Sequence, residues 1–323
     1  MRAKCIFFRG DGNNSLGHGH ISRLMAICER LKNLSDTKFI VINSDLSVIE
    51  KLKKRGFVYV KFFSEDQFID SIHKGDIVIL DGYDFTEEYI ESIRLKFAKI
   101  VFIDDLNNKP LYVDMIINHS NYFKALDYNC NNDTHLFIGD NYSMIGSSFL
   151  DQRKPKQIKK LKNIGICLGM SNSGKLLNNI IEKALHVFGD SNIEVISGGN
   201  KIKIHSNEKR IIVHNFLDEK GMISFFDNVD LAILPVSTVY MEAYARNTIV
   251  IGGYFTSDQK NIYDSVVTKE NIFGAGDLNL LNIDKLRKIR EIIEQQLPIK
   301  VENEIGHGWN YIKEIIGSWI NKE

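Results

Sequence analysis

The chain has few cysteines, and their spacing matches neither a metal site nor a disulfide framework. Its four cysteines are Cys5, Cys28, Cys130 and Cys167, and no two of them form a Cys-x-x-Cys pair. Three of them lie within apolar runs, which is typical of reduced, buried thiols. The pattern argues against zinc and disulfides and favours a cytoplasmic protein.

An excess of charge of either sign is also missing. The chain contains 41 Lys and Arg residues against 41 Asp and Glu residues, so its formal net charge is zero. A protein that binds nucleic acid or an anionic membrane surface through its overall charge carries a basic excess. We therefore expect neither a nucleic-acid partner nor a membrane partner, and the sequence indicates no particular protein partner.

Long apolar runs are absent as well. A membrane-spanning helix needs about 18 consecutive apolar residues, and no stretch of the chain approaches that length. The first apolar run, residues 5–8, is followed by Arg9 and Asp11 and is too short for a signal peptide. The sequence therefore predicts a soluble protein that is not exported.

The most informative stretch that is present covers residues 9–24, Arg-Gly-Asp-Gly-Asn-Asn-Ser-Leu-Gly-His-Gly-His-Ile-Ser-Arg-Leu. A strand-like run precedes it and apolar residues at helical spacing follow, which predicts a strand-to-helix turn. Gly17 and Gly19 let the backbone bend and approach a ligand. His20 falls near the first helical turn, where an imidazole can act as general base or acid near neutral pH. A structural or capping histidine is the alternative.

Strand-like and helix-like segments alternate from residue 38 onwards, which predicts α/β domains with parallel, doubly wound sheets. The pattern restarts at Ile164, after a lysine-rich segment. We predict two tandem Rossmann-like domains, residues 1–150 and 163–323, with the C-terminal helices in the second. Residues 151–162 are expected to form an exposed linker, and a functional basic patch is the alternative.

Polar residues follow two predicted strands of the first domain. Asp81 and Tyr83 end one strand, and Asp104 and Asp105 end the next. The carboxyl ends of parallel strands meet at one edge of a sheet, so these side chains should lie near the loop that carries His20. The acidic pair could bind a metal, but no third acidic ligand is evident nearby, and a polar strand end is favoured.

Three local patterns fall short of known motifs. His18 and His20 form a His-x-His pair without a third ligand, so no metal site is predicted. Ser22 stands where a dinucleotide fingerprint needs a third glycine, which argues against nicotinamide and flavin cofactors. Residues 169–175 resemble a P-loop, but Leu176 replaces the hydroxyl that would hold magnesium. Backbone amides of that loop could still bind a phosphate, and a tight turn is the alternative.

A further candidate helix N-terminus follows the strand-like run 231–234. Ser237 or Thr238 would cap this helix, and capping alone would explain both hydroxyls. One turn later, Glu242 could accept hydrogen bonds from a ribose diol. Gln259, after the next strand, could add an amide contact or could be a surface glutamine.

Together these motifs resemble those of the nucleotide-sugar hydrolases of pseudaminic acid biosynthesis, the UDP-2,4-diacetamido-2,4,6-trideoxy-β-L-altropyranose hydrolases. The matching motifs, in order, are Arg9-x-Asp11, Gly17-x-Gly19-His20-x-x-Arg23, Asp81-x-Tyr83, Asp104-Asp105, Gly139-x-x-Tyr142, Ser237-Thr238 with Glu242, and Gln259. The resemblance implies a GT-B-like fold, akin to that of the MurG glycosyltransferase, with a sugar nucleotide in the cleft between the domains. It also implies that His20 activates water to expel UDP, without a metal or another cofactor.

Residue roles follow from the same resemblance. Substrate contacts in the first domain are assigned to Asp11, Gly17, Gly19, Arg23, Tyr83, Asp104, Asn118 and Tyr142. Nucleotide contacts in the second domain are assigned to Gly169, Ser171, Asn172, Ser237, Thr238, Glu242 and Gln259. The chain departs from the family pattern at Gly82, at Gly146 and at Met170, where a Gly-Gly-x-Asp turn is usual.

Three functions are consistent with these features. The first is hydrolysis of a UDP-diacetamido-trideoxy-hexose by water attack at C1, within biosynthesis of a nonulosonic acid for a cell-surface polysaccharide. The second is a GT-B glycosyltransferase, in which an acceptor hydroxyl replaces water; no acceptor groove or basic-apolar membrane-binding stretch is visible in the first domain. The third is a non-catalytic sugar-nucleotide binding protein, which would bind without turnover.

Overall fold

The structure is a computed structural model that describes residues 2–12, 19–120, 127–169, 174–203 and 210–322, with only the backbone of Asp258. The predicted site residues Gly17, Ser171 and Asn172, and also His18, lie outside the described residues. The chain divides into two compact units, Met1–Ser147 with Gly306–Glu323, and Ser148–Ile305.

The first unit is built on a parallel sheet of seven strands in the order β3-β2-β1-β4-β5-β6-β7. These strands are β1 Cys5–Arg9, β2 Asp36–Val41, β3 Tyr59–Lys61, β4 Ile77–Asp81, β5 Lys99–Ile103, β6 Met115–Asn118 and β7 His135–Ile138. The helices between them are α1 Gly19–Leu31, α2 Leu46–Lys54, α3 Glu65–Ser71 and α4 Glu87–Arg94.

Both faces of this sheet are covered, which explains why its central strands are apolar throughout rather than alternating. In β1, Ile6 and Phe8 belong to one core cluster, together with residues of α1 and α2. Cys5 and Phe7 belong to a second cluster, which includes Phe68 of α3. Successive side chains of a strand point to opposite faces, so one strand serves two cores.

The second unit contains a parallel sheet of six strands in the order β11-β10-β9-β12-β13-β14, and a separate antiparallel pair, β8 with β15. The strands are β8 Lys156–Ile158, β9 Asn163–Cys167, β10 Asn192–Ile196, β11 Ile211–His214, β12 Leu231–Pro235, β13 Ile249–Tyr254, β14 Ile272–Asp277 and β15 Ile299–Val301. Its helices are α5 Gly174–Val187, α6 Glu219–Asn228, α7 Thr238–Ala245, α8 Ser257–Val266 and α9 Ile283–Gln296, and the last helix of the chain is α10 Trp309–Asn321.

Each parallel sheet reverses its strand order once. The reversal falls between β1 and β4 in the first unit and between β9 and β12 in the second. Open α/β sheets bind ligands at this switch point, outside the carboxyl ends of the strands. The predicted fold class, parallel and doubly wound α/β, is confirmed. No helix in the described ranges combines the length and apolar character needed to cross a membrane.

The C-terminal helix corrects the predicted domain assignment. α10 belongs to the first unit, although the sequence pattern placed it in the second. Its Trp309, Ile312 and Ile316 are buried in the core cluster that contains Ile6. The indole nitrogen of Trp309 donates a hydrogen bond to the backbone oxygen of Ser143 at 2.7 Å. Helical spacing identified the buried stripe but carried no information about which core receives it.

The lysine-rich segment 151–162 is largely exposed, as predicted, but it is not a linker without structure of its own. Its residues Lys156–Ile158 form β8, which pairs with β15 inside the second unit. The Lys156 ammonium donates hydrogen bonds to the backbone oxygens of Phe226 and Val229 at the end of α6. Carbonyl groups at a helix C-terminus attract a cation, which is why this lysine lies inward. Burial lowers the pKa of Lys156 to about 8.

Candidate active site

Two chain segments meet where the strand order of the first unit reverses. β1 and β4 are neighbours in the sheet, and His20 is the second residue of α1, the helix after β1. Asp81 is the last residue of β4. The strand ends approach so closely that a Cβ added to Gly10 would lie 2.6 Å from the backbone oxygen of Asp81. Glycine at this position therefore allows β1 to end beside Asp81.

His20 and Asp81 form a buried hydrogen-bonded pair. The Nδ1 atom of His20 lies 2.6 Å from Oδ1 of Asp81, whose side chain has no exposed surface. Nη2 of Arg23 lies 2.9 Å from the same Nδ1, but it donates its proton to Oδ1 of Asp81 at 2.6 Å. Because the Asp81 carboxylate only accepts, we assign the imidazole proton to Nδ1, which leaves the lone pair on Nε2. The arrangement holds the imidazole in the tautomer that a general base requires.

Arg23, one turn along α1, neutralises the carboxylates around this pair. Its guanidinium donates to both oxygens of Asp81, at 2.6 and 3.0 Å, and to both oxygens of Asp105 at 2.7 Å. Burial alone would lower the pKa of Arg23, but the ion pairs with Asp105 and Asp81 raise it. The guanidinium therefore stays charged and fixes the two acidic strand ends to one helix.

Asp105 remains ionised in this setting. Burial raises the pKa of its carboxyl, but the charge of Arg23 outweighs burial, helped by His119 at the acidic pH at which that ring is protonated, and brings the pKa to about 2. Tyr83, half exposed, donates a hydrogen bond to Asp105 at 3.3 Å and sets its ring edge against His20, with 4.9 Å between the ring centroids. The structure thus brings together five residues that the sequence singled out at two strand ends and in one loop: His20, Arg23, Asp81, Tyr83 and Asp105.

Asp11 lies in the same loop region, but its carboxylate is occupied by protein groups. Arg9 donates to one oxygen at 2.7 Å, and the hydroxyl of Ser44 and the backbone N–H of Asn43 donate to the other at 3.2 Å. Arg9 is itself buried, paired also with Glu65. Asp11 therefore fixes the chain that leaves β1, and the substrate contact assigned to it stays a prediction.

Asp104 and Asn118 are hydrogen-bonded to neighbouring protein groups. The Asp104 carboxylate accepts from the N–H groups of the following turn and from the hydroxyl of Tyr128 at 2.7 Å. Asn118, fully buried, donates to the same hydroxyl at 2.9 Å. Both side chains therefore stabilise the wall of the site beside Asp105, and the substrate contacts assigned to them stay predictions. In the described part of the chain, no three His, Cys, Asp or Glu side chains form a group that could hold a metal.

Tyr142 and Gly19 complete the predicted substrate contacts of the first unit. Tyr142 packs against Phe137, with 5.0 Å between ring centroids, and so closely under Gly308 that a Cβ there would clash with it. This tyrosine packs against the core, and its contact with a substrate stays a prediction. Beside Gly19, no atom of a described residue lies within 4 Å of an added Cβ, which leaves space for a ligand there.

The second unit places its predicted residues at its own switch point. Gly169 follows β9 with a positive φ of 77°, and α5 begins at Gly174. Ser237 precedes α7 in the N-cap position, but its side chain makes no capping hydrogen bond, contrary to the prediction that capping explains it. Glu242, one turn into α7, is half-buried and contributes through its charge to the raised pKa of Cys167, whose main cause is burial.

Gln259 is buried, so the alternative of a surface glutamine is wrong. Its amide oxygen accepts a hydrogen bond from the backbone N–H of Phe255 at 3.0 Å, which closes the loop between β13 and α8. At the start of that helix the hydroxyl of Thr256 is buried and makes no hydrogen bond with a described residue.

Leu176, which stands where a P-loop would have the hydroxyl that holds magnesium, lies in the hydrophobic core.

Two residues were missed by the sequence patterns. His119 directly follows β6 and is buried beside Asp105, with 3.9 Å between its Nε2 and Oδ1 of Asp105. Asp105 was singled out because it follows a strand of the predicted parallel sheet. His119 follows β6 in the same way, so the same argument could have identified it.

Phe216, just after β11, is 58% exposed and lies against Gly199, where an added Cβ would be 3.2 Å from its ring. An exposed aromatic ring at this edge can stack on a nucleobase.

Comparison with known proteins gives distant relatives only. No protein-family model matches the chain. A UDP-2,4-diacetamido-2,4,6-trideoxy-beta-L-altropyranose hydrolase of Campylobacter jejuni is 24% identical over 253 residues, which cover 74% of this chain and 87% of the relative. A protein of uncharacterized function from Methanocaldococcus jannaschii is 26% identical over 279 residues, or 80% of this chain. The match covers only 57% of the length of this second relative.

The fold itself has close structural counterparts. MurG of Acinetobacter baumannii superimposes with a TM-score of 0.67 over 98% of this chain and 99% of its own, at 12% sequence identity. At this identity the likeness shows the fold and nothing about substrates. The chain has the α/β architecture of two Rossmann-like parallel sheets found in GT-B enzymes such as MurG.

Proposed function

We propose that this chain is a nucleotide-sugar hydrolase that releases UDP from UDP-2,4-diacetamido-2,4,6-trideoxy-β-L-altropyranose. The observation that carries the proposal is the buried His20–Asp81 pair at the switch point of the first unit, which leaves a lone pair on Nε2. The similarity to the Campylobacter jejuni hydrolase supports the choice of substrate class.

In the proposed reaction, Nε2 of His20 takes a proton from a water molecule as its oxygen attacks C1 of the sugar. The bond between C1 and the oxygen of the β-phosphate breaks, and UDP leaves with the bonding electrons. The imidazolium that forms is stabilised by the ionised Asp81, which keeps its hydrogen bond to Nδ1. The proton later passes to solvent, and His20 is ready for the next substrate.

The second unit is proposed to hold UDP. The amides at the start of α7 are a favourable place for a diphosphate, because a helix N-terminus carries free N–H groups and a partial positive charge. Thr238 is the first residue of α7, and Ser237 is its N-cap residue, whose hydroxyl makes no capping hydrogen bond. Glu242 is proposed to accept hydrogen bonds from the ribose diol, and Phe216 to stack on the base.

Phosphorus NMR of the sugar nucleotide with purified protein, without any acceptor and with EDTA present, tests this proposal. We expect prompt conversion of the substrate signals into those of UDP. An unchanged spectrum while calorimetry shows UDP binding would contradict hydrolysis of this substrate.

A glycosyltransferase is the second candidate. The His20–Asp81 pair would deprotonate an acceptor hydroxyl as readily as water, and the GT-B architecture is shared with MurG. The two functions differ in their need for an acceptor. Sustained UDP release in water alone favours the hydrolase, whereas release only after an acceptor alcohol is added favours the transferase.

The Glu242→Ala substitution is expected to weaken UDP binding by roughly 10- to 100-fold, because hydrogen bonds to a charged group contribute about 1.5–3 kcal/mol. Calorimetric titration with UDP and with its 2′-deoxy analogue checks the reason. Wild-type protein should prefer UDP, and the variant should bind the two alike. The matched control is Glu182→Ala on the exposed side of α5, which should bind as wild type. An equal loss for both nucleotides would contradict the ribose contact.

A further inference from the structure

His119 is a buried histidine that the reaction scheme does not use. It follows β6 directly, and only 8% of its surface is exposed. Its Nδ1 atom is buried and makes no hydrogen bond with any residue in the described ranges. Burial lowers the pKa of this imidazole to about 4, although the negative charge of Asp105 acts to raise it. The ring is therefore neutral at physiological pH. A neutral imidazole offers one N–H and one lone pair.

The other ring nitrogen faces a charged acceptor across a gap. Nε2 of His119 lies 3.9 Å from Oδ1 of Asp105, which is too long for a direct hydrogen bond. One oxygen atom at about 2.8 Å from each of the two atoms would close the gap. Since Asp105 accepts and the Nε2–H tautomer of His119 donates, that oxygen must both donate and accept, as a hydroxyl does.

The sugar of the proposed substrate carries one such group, apart from the ribose diol of UDP that is assigned to Glu242. In a 2,4-diacetamido-2,4,6-trideoxypyranose, C1 holds UDP, C2 and C4 hold amides, C5 is bonded to the ring oxygen and C6 is a methyl group. The 3-hydroxyl is therefore its only free hydroxyl. An amide nitrogen only donates and an amide oxygen only accepts, so neither atom alone can take this position.

We propose that His119 and Asp105 bind the 3-hydroxyl of the sugar, which donates to Asp105 and accepts from Nε2–H of His119, and that His119 is thereby a specificity-determining residue. This inference rests on the proposed hydrolase function. In this scheme His119, directly after β6, recognises the sugar, whereas the separate His20–Asp81 pair activates water.

A comparison of two substrates in each protein variant tests the inference. The probes are the UDP-diacetamido-trideoxy-altrose and its 3-deoxy analogue, with kcat/KM measured by UDP release. Wild-type protein is expected to prefer the hydroxyl-bearing substrate by roughly 100-fold, since a site built to hydrogen-bond a hydroxyl rejects an analogue that lacks it. His119→Leu should reduce this preference by about 10-fold or more. His119→Gln, whose amide can donate from a similar position, should restore part of it.

The preference is the ratio of the kcat/KM values of the two substrates, measured with one protein preparation. A fraction of unfolded protein lowers both values equally and leaves the ratio unchanged. His73→Gln, at an exposed histidine, is the matched control and should keep the wild-type preference. An unchanged preference in His119→Leu, with turnover of the natural substrate intact, overturns the inference while the hydrolase function stands. Wild-type protein that binds UDP but releases none from either substrate overturns both.

Discussion

The His20→Asn substitution is expected to reduce UDP release by roughly 100- to 10,000-fold, the range associated with loss of a general base. Asparagine can keep a hydrogen bond to Asp81 but has no basic nitrogen that could take a proton from water. Because the residue lies in the first unit, UDP binding by the second unit should remain unchanged. Stopped assays of UDP release and calorimetry with UDP measure the two effects separately.

A matched histidine controls for general effects of the substitution. His73 is exposed in the loop between α3 and β4 and has no place in the proposed site. His73→Asn should therefore release UDP at the wild-type rate. If His20→Asn also retained that rate, His20 would have no role in catalysis, and the proposed mechanism would be wrong.

Arg23→Met is expected to lower the free energy of unfolding at neutral pH by about 3–5 kcal/mol, because removal of one partner leaves buried charges uncompensated. Arg23 is the partner of both Asp81, which has no exposed surface, and Asp105. Methionine keeps much of the side-chain volume but supplies no charge. Urea unfolding at neutral pH measures the loss.

The cost of Arg23→Met should depend on pH with a defined sign. In the wild-type protein the folded-state pKa of Asp105 is lowered from 3.8 to about 2. A depressed pKa contributes stability that is present above the ordinary value and lost as pH falls through the folded-state value. The difference between wild type and variant should therefore be largest at neutral pH and shrink between about pH 4 and pH 2.

A surface arginine gives the matched control for this prediction. Arg55 pairs with Glu29 at 3.0 Å, but about a third of the Arg55 side chain is exposed. Surface ion pairs contribute about 0–1 kcal/mol, so Arg55→Met should change stability by no more than that. Equal effects of the two substitutions would show that the Arg23 cluster does not stabilise the fold.

Local signals predicted much of the first unit. Ser64 with Gln67 three residues later is a capping-box pattern, and Thr86 is a typical helix cap. In the structure Ser64 accepts the backbone N–H of Gln67 at the start of α3, and Thr86 caps α4 in the same way. Gly56, which the sequence predicts as a helix stop, follows α2 with a positive φ of 73°. These features depend on neighbours along the chain, and sequence spacing therefore suffices to identify them.

The convergence of distant strand ends could also be predicted. His20, Asp81 and Asp105 lie at or beyond the carboxyl ends of three different strands, and the parallel topology alone brings them to one edge. Which residue of an adjacent pair faces the site could not be predicted. Asp104 turns into the hydrogen bonds of its own loop, whereas Asp105 meets Arg23. That choice depends on the backbone of the turn, which composition and periodicity do not specify.

Long-range packing set a second limit. The apolar stripe of α10 fits any hydrophobic core, and only the tertiary structure shows that Trp309 enters the first unit. The lysine-rich segment has the composition of a solvated linker, yet Lys156 is partly buried at the carbonyl end of α6. In both cases the partner lies far away in sequence, and local patterning does not identify it.

Hydrolysis in water labelled with a heavy oxygen isotope tests the chemistry at C1 most directly. Attack of His20-activated water on C1 breaks the bond between C1 and the bridging oxygen, and the bond between that oxygen and the β-phosphorus stays intact. The released UDP is therefore expected to carry no label. Mass spectrometry of UDP reads this unambiguously, whereas the free sugar exchanges its anomeric oxygen with water. Label in the terminal phosphate of UDP would show attack at phosphorus and would contradict the proposed mechanism.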